Sequence, residues 1–305
     1  MALSMAYLPM VVFLAFGTAA NIPFLIRSIV DTVRQSALRR ALPSAPPALL
    51  TTAIAECCWV LPCLVQCALT LFKGTGGPWA PSNSAYTLGC DIMGYYSTFA
   101  SISGMLSTLW VTYITFKAVG GVSSVTMRTS LLVGGGVLAF SAFFTALPFM
   151  GVGSFEFTGE GFCYFNWHDK ALATLMLLVT LPTMVASVTF LALTLKRGGW
   201  PSQLDLILML FGFLSAWILW VPASIIGLSG APFPTRYMIS GGVMGHAQAL
   251  LNPYIYGVRW RRSACALSGT KSETPAHTKV SVSQPSASTD VDETPSTVDV
   301  DPSHA

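Results

Sequence analysis

The chain has 305 residues, of which 53% are hydrophobic and 10% charged, against roughly 25% charged residues in soluble domains. This balance excludes a soluble enzyme with a large core, because too few polar residues remain to cover its surface. The formal net charge of +3 is too small to indicate a nucleic-acid partner. The composition therefore predicts a membrane protein.

Seven apolar runs, separated by short polar breaks, follow one another along the chain. Each is long enough to cross a hydrocarbon layer of ~30 Å, which takes ~20 helical residues. Because a backbone in lipid must satisfy its own hydrogen bonds, the runs are predicted to be helices. The predicted spans of this all-α seven-helix bundle are 5–27, 47–72, 88–116, 129–150, 171–195, 204–228 and 237–258.

The distribution of lysine and arginine predicts the orientation in the membrane. With the N-terminus outside, only Lys73, Lys170 and Arg236 of the 16 basic residues would lie on the outer side. The C-terminus is then cytoplasmic, and we expect the plasma membrane as the location. The first run ends in small residues, as a cleaved signal peptide does, but it lacks a basic n-region. An uncleaved first helix is therefore expected.

The composition changes sharply after residue 266. Residues 267–305 are rich in Ser, Thr, Pro and acidic residues and contain no aromatic residue. Such a segment buries too little apolar surface to fold. We predict a membrane domain over 1–266 and a disordered cytoplasmic tail over 267–305. The tail hydroxyls beside acidic residues fit phosphorylation sites, and a solvated tail without a signal fits equally well.

Polar residues inside the predicted spans are rare, and ionisable ones in a membrane are usually functional. Glu56 is the clear carboxylate in the middle of a span, and Asn21 and Asn252 are amides in spans one and seven. Together they could form one buried polar cluster bridged by water. Three unrelated helix–helix contacts explain them equally well, so both interpretations stay open.

The seven cysteines fall into three groups. Span two contains Cys57, Cys58, Cys63 and Cys67. These lack His or carboxylate partners at ligand spacing, so apolar packing is favoured over a metal site. Cys90 and Cys163 both fall on the outer side, where a disulfide would hold the loop after span four over the bundle. Cys265 follows a basic run at the inner face, where S-acylation and a free thiol are equally supported.

Catalytic motifs are missing from the sequence. It has no HExxH motif, P-loop or nucleophile elbow, and two of its four histidines lie in the tail. We therefore expect no enzyme activity, no cofactor and no metal site.

Several motifs, in order along the seven spans, resemble those of rhodopsin-like G-protein-coupled receptors. The stretch "NPYIY" is similar to the seventh-helix Asn-Pro-x-x-Tyr motif at Asn252, Pro253 and Tyr256. The stretch "WVP" is similar to the sixth-helix Trp-x-Pro motif at Trp220 and Pro222. The resemblance implies that the first set belongs to an internal polar switch and that the second is a hinge beneath a ligand pocket.

The same resemblance covers the first two spans and the cysteines of the outer side. Asn21 is similar to the first-helix Asn of the family, and Glu56 stands where the family usually has Asp. Both would belong to the polar switch. The family's outer disulfide would join Cys90 to Cys163.

A closer resemblance is to the prostanoid receptors, especially the subtype-four prostaglandin E receptors. It rests on "ALPFMGVGSF" and "GFCYFNW" around the second outer loop. It implies lipid-mediator ancestry and a folded loop that roofs a pocket between spans three, five, six and seven. Phe165, Trp167, Val243 and His246 are the pocket candidates, for a lipid-like or unidentified small molecule.

The departures from the family are as informative as the matches. Ile114, Thr115 and Phe116 replace the Asp/Glu-Arg-Tyr motif that normally contacts the G protein. Val243 replaces the arginine that binds the carboxylate of prostanoids, and an apolar side chain cannot pair with a carboxylate. His246 stands where photoreceptors have lysine, which excludes a retinal Schiff base at that position.

Two functions therefore compete. In the first, the chain is a receptor that signals constitutively or atypically to a G protein or arrestin. In the second, it is a decoy that binds ligand, or a homologue that pairs with other receptors as a dimer, without G-protein coupling. The degenerate motifs also fit a receptor homologue encoded by a virus.

Overall fold

The computed structural model describes residues 7–34, 42–73, 86–121, 125–158, 162–217, 220–231 and 235–270. The chain separates into two units, Met1–Ser272 and Glu273–Ala305, and all described residues belong to the first. Of the predicted tail, 267–305, only residues 267–270 are described. They are helical and extend the last helix past the predicted boundary at residue 266.

Helices make up most of the described chain. They are α1 Tyr7–Arg34, α2 Ala45–Lys73, α3 Tyr86–Val119, α4 Met127–Thr145, α5 Lys170–Arg197, α6 Gln203–Trp217, α7 Trp220–Ser229, α8 Thr235–Asn252 and α9 Arg261–Thr270, with a π-helical stretch, Pro253–Trp260, between the last two. A 3-10 turn, Leu147–Met150, follows α4. Predicted span four therefore stops being α-helical at Thr145, because the Pro148 ring cannot continue the helix.

Six segments of the described chain are long and apolar enough to cross a membrane, with Gln203–Ser229 counted as one. These helices agree with the predicted all-α membrane class. α8, at the position of the predicted seventh span, is helical but is not among the six. It is more polar, since it contains His246, Gln248 and Asn252.

Large apolar side chains lie on the outside of the bundle. Phe72 is 82% exposed, and Phe16, Leu132 and Leu178 are also exposed. In water, exposed apolar surface on several helices would favour aggregation. In lipid the same side chains contact acyl chains, which is consistent with a multi-pass membrane protein.

A β-hairpin between α4 and α5 was not expected from the sequence. Strand β1, Phe155–Thr158, pairs antiparallel with β2, Phe162–Phe165, and Phe155 lies opposite Phe165. The predicted disulfide between Cys90 of α3 and Cys163 of β2 is confirmed. We call residues 155–158 and 162–167 the hairpin segment.

Two apolar clusters occupy the two ends of the bundle. The cluster at the hairpin end includes Ile102, Phe144, Phe155, Tyr164, Phe165, Trp167, Leu172, Met176 and Ala223. The cluster at the other end, which we call the α9 end, includes Val111, Ile114, Leu191, Trp200, Met209, Ile255, Tyr256 and Trp260. The buried polar residues Asn21, Glu56 and Asn252 belong to neither cluster.

Candidate functional site

Glu56 of α2 and Asn252 of α8 form a direct hydrogen bond. The Asn252 Nδ2 atom donates to the Glu56 Oε1 atom over 2.5 Å. Glu56 is 6% exposed and Asn252 is 2% exposed, so both groups are shielded from bulk solvent. An unpaired carboxylate or amide in this interior would lose its solvation, and the bond offsets that cost.

Asn21 of α1 is attached to the backbone of α8. Its Nδ2 atom donates to the Gly17 carbonyl at 2.9 Å and to the Ala249 carbonyl at 2.8 Å. Ala249 lies four residues before Pro253, whose missing N–H would otherwise bond that carbonyl in an α-helix. Asn21 therefore supplies the donor that Pro253 withholds.

The structure thus places the three predicted polar residues in one region. The Glu56–Asn252 contact is direct, whereas Asn21 reaches α8 through the backbone one turn earlier. Within the described part of the chain, the buried Asn21 Oδ1 atom has no hydrogen-bond partner. The Cys57 thiol lies 3.8 Å from the backbone carbonyl oxygen of Asn21, a weak contact between α2 and α1.

Tyr256 and Trp260 follow Asn252 in the chain and lie at the α9 end of the bundle. Tyr256 is buried in the apolar cluster of the α9 end. The Trp260 Nε1 atom donates to the Thr115 Oγ1 atom at 2.8 Å, and both residues are 0% exposed. Thr115 is the residue predicted from the sequence resemblance to replace the arginine of rhodopsin-like receptors. Trp260 was not predicted as a site residue, and its place inside a basic run hid its burial.

The other two residues of the degenerate motif have separate neighbours. Ile114 is buried in the apolar cluster of the α9 end. The Phe116 ring lies 5.5 Å from the Phe190 ring of α5. The Arg197 guanidinium lies 4.1 Å above the same Phe116 ring, in a cation–π contact.

Asp205, at the start of α6, holds the basic run in place. Its Oδ1 atom accepts from the Arg259 Nε and Nη2 atoms, each at 2.7 Å, and its Oδ2 atom accepts from Ser263. These bonds raise the pKa of the Arg259 guanidinium above its ordinary value. A second ion pair joins Arg261 to Asp31 of α1. Asp205 is a site residue that its sequence position, near the end of a predicted span, does not reveal.

Aromatic residues of the hairpin segment contact the predicted sixth-helix hinge. The Tyr164 ring lies 4.9 Å from the Trp220 ring, and the Trp167 ring lies 5.4 Å from it. Tyr164 and Trp167 stack on each other at 5.6 Å. Trp220 begins α7 and Pro222 lies in its first turn. Residues 218 and 219, which precede them, lie outside the described residues.

The four predicted pocket residues form two separate pairs. Phe165 and Trp167 lie in the apolar cluster at the hairpin end. Val243 packs instead against a cluster from α1, α2 and α8. His246 lies beside Trp59, with ring centroids 5.5 Å apart, and its Nε2 atom is 3.9 Å from the Cys67 sulfur. The structure therefore does not bring these four residues into one pocket.

Gln66 of α2 links the hairpin to two helices. Its Nε2 atom donates to Ser97 of α3 at 3.1 Å, and its Oε1 atom accepts from the Cys163 N–H at 2.9 Å. Gln66 is buried and was not predicted as a site residue. Its place in an apolar span beside four cysteines gives no signal of that role.

Cys265 is exposed on α9, so it is accessible to a modifying enzyme. In the described part of the chain, no three His, Cys, Asp or Glu side chains are placed to hold a metal ion.

Comparisons with protein-family models and with curated proteins found no match to the chain.

Proposed function

We propose that the chain is a G-protein-coupled-receptor-like protein of the prostanoid type, which signals by changing its helix packing. In this proposal α8 is the seventh span of the bundle. The hairpin end faces the outside of the plasma membrane, and the α9 end faces the cytoplasm. The observation that carries the proposal is the buried hydrogen bond between Glu56 and Asn252.

That bond is suited to a switch because its alternatives are few. Both partners are buried, so separating α2 from α8 leaves a carboxylate and an amide without solvent. A bundle with such a bond favours discrete packings over continuous deformation. A ligand or partner shifts the population only through different affinities for the two packings.

The cytoplasmic partner is a G protein or arrestin. The Thr115–Trp260 bond lies at the end of the bundle where that partner would bind. With no arginine at Thr115, the partner must use a different contact, so coupling is expected to be constitutive or atypical.

The proposal is tested by second-messenger and arrestin-recruitment assays without added ligand. The parent is compared with Asn252→Ala at equal surface expression, and we expect the variant to change the basal signal. Thr189→Ala is the matched control, because Thr189 is exposed and, among the described residues, its hydroxyl bonds only the Val185 carbonyl of its own helix. The absence of basal signal and of recruitment in the parent, in every pathway assayed, would contradict the proposal.

A second candidate function, a receptor homologue that binds ligand or other receptors without G-protein coupling, is favoured by the Thr115–Trp260 contact. Two fully buried side chains fill the end of the bundle that a partner would need. Thr115→Arg, alone and combined with Trp260→Ala to provide space, separates the candidates. Signalling gained only by the double variant favours the silent homologue, and signalling already present in the parent excludes it.

A further inference from the structure

The hairpin segment lies among the helices and is not only a cover above them. Tyr164, Phe165 and Trp167 are buried. The same apolar cluster contains Ile102 of α3, Phe144 of α4, Leu172 and Met176 of α5, and Ala223 of α7. Four helices therefore contribute side chains around three residues of one loop.

Two glycines allow the hairpin to approach the helices this closely. A Cβ atom placed on Gly94 of α3 would lie 2.5 Å from the Phe155 ring. One placed on Gly227 of α7 would collide with the backbone carbonyl of Trp167 and lie 3.4 Å from its Cβ atom. A backbone carbonyl cannot move aside as the end of a flexible side chain can. Any larger residue at position 227 is therefore incompatible with this placement of Trp167.

One covalent bond and one hydrogen bond hold the hairpin at this depth. The disulfide joins Cys163 to Cys90 of α3, and the neighbouring backbone N–H of Cys163 donates to the buried Gln66 side chain. Tyr164 follows directly in the chain, so its ring is carried toward Trp220. The attachments and the two glycines act on different residues of the hairpin but fix the same placement.

We propose that the hairpin is the resident ligand of this bundle, with Tyr164 and Trp167 occupying the interior site beside Trp220 that a diffusible ligand would otherwise fill. The biological role of this occupancy rests on the proposed receptor function, whereas the contacts of the two rings do not depend on it. A diffusible ligand then binds only by displacing these two rings. It has to be apolar, since Ile102, Phe144 and Met176 belong to the same apolar cluster as the two rings.

The first test compares two glycine substitutions by hydrogen exchange of the full-length protein in detergent or nanodiscs. In Gly227→Ala the Trp167 carbonyl must move, so we expect exchange across residues 162–167 to accelerate by about tenfold or more. Gly136→Ala is the matched control, because a Cβ atom there has no neighbour within 4 Å. Equal protection of this stretch in the parent and in Gly227→Ala would overturn the proposal.

The second test uses indole as a probe of the interior volume. Trp167→Ala opens a space the size of the missing ring, and indole should raise the melting temperature of that variant but not of the parent. If the alanine variant does not fold, Tyr164→Ala, which removes the neighbouring buried ring, serves the same purpose with phenol as the probe. Equal stabilisation of parent and variant would show a vacant site in the parent and refute resident occupancy.

Signalling is measured separately, so that the two proposals fail in distinguishable ways. Faster exchange in Gly227→Ala with an altered basal signal supports both the occupancy and the receptor function. Faster exchange without any signal in parent or variant supports the occupancy and contradicts the receptor function. Unchanged exchange contradicts the occupancy whatever the signal.

Discussion

Pro253 couples two helices because of the hydrogen bond it cannot make. The Ala249 carbonyl has no N–H donor four residues later, and the Asn21 side chain of α1 takes that place. A single proline directly after α8 therefore gives the first helix a polar partner on α8. The same proline is the first residue of the π-helical stretch, in which the backbone pairing differs from that of α8.

This arrangement predicts a specific energetic coupling. Asn21→Ala should lower the free energy of unfolding by about 1–2 kcal/mol, because the Ala249 carbonyl loses its donor. In a Pro253→Ala background the restored backbone N–H competes for that carbonyl, so the same substitution should cost less. Unfolding of all four proteins in mixed micelles gives the coupling. Equal costs in both backgrounds would contradict this account of Pro253.

The energetic contribution of the hydrogen bond between Trp260 and Thr115 can be measured with the same kind of double-mutant cycle. Thr115→Val and Trp260→Phe each remove one partner of the bond, and we expect a coupling of about 0.5–1.5 kcal/mol between them. Thr112→Val is the control, since Thr112 is buried on the same helix but bonds only the Leu109 carbonyl. A coupling of the Trp260 variant to Thr112 as large as that to Thr115 would refute a specific bond.

Among the elements, the hairpin segment contains a group whose titration affects its placement. Burial raises the pKa of the Glu156 carboxyl above its ordinary value of 4.5, and the nearby His168 and the Trp167 backbone oppose this shift. A carboxyl with a higher pKa in the folded state binds more protons when folded than when unfolded. The hairpin is therefore stabilised at low pH, and that stability is lost as the pH rises above 4.5 through the raised pKa.

Hydrogen exchange of the hairpin segment between pH 4.5 and 7, corrected for intrinsic rates, measures this effect. We expect protection in the parent to decrease as the pH rises, and Glu156→Gln to remove the decrease. His168→Gln removes the imidazole whose charge opposes the shift of the Glu156 pKa, and so separates its contribution. Protection that increases with pH in the parent would contradict the assigned direction.

The elements also show which features the sequence could predict. Six of the seven predicted spans correspond to apolar helical segments, because length and hydropathy determine membrane helices almost independently of tertiary structure. The hairpin was not predicted, since its Phe-rich strands resemble any short apolar run. Its pairing depends on the attachment of Cys163 to α3 and Gln66, which are distant in the sequence.

The same distinction applies to the candidate site. Asn21, Glu56 and Asn252 are detectable because polar groups in apolar helices are conspicuous. Asp205 and Trp260 are not, because a charge near a helix end and an aromatic residue in a basic run are common. Their roles come from tertiary contacts to Arg259 and Thr115. The separation of the four pocket candidates into two pairs depends on how each helix is rotated about its own axis. In helices that are apolar on nearly every face, hydrophobic periodicity does not determine this rotation.

At the scale of the whole molecule, the proposed orientation makes a direct prediction. An epitope tag at the N-terminus should bind antibody on intact cells, and a tag at the C-terminus only after permeabilisation. The reason is the predominance of basic residues on the side assigned to the cytoplasm. Labelling of both tags on intact cells would exclude an odd number of spans, and labelling of the C-terminal tag alone would invert the orientation.

The contact between Gly227 and Trp167 has a consequence for the order in which the protein is made. The disulfide needs only Cys90 and Cys163, so in the proposed orientation it can form in the oxidising compartment before the later helices are synthesised. The volume beside Trp220 does not exist until α7 has been inserted, and Gly227 of α7 follows Trp167 by sixty residues. The hairpin is thus tethered early and buried late, and a quality-control factor of the secretory pathway would meet its three aromatic rings exposed in the interval.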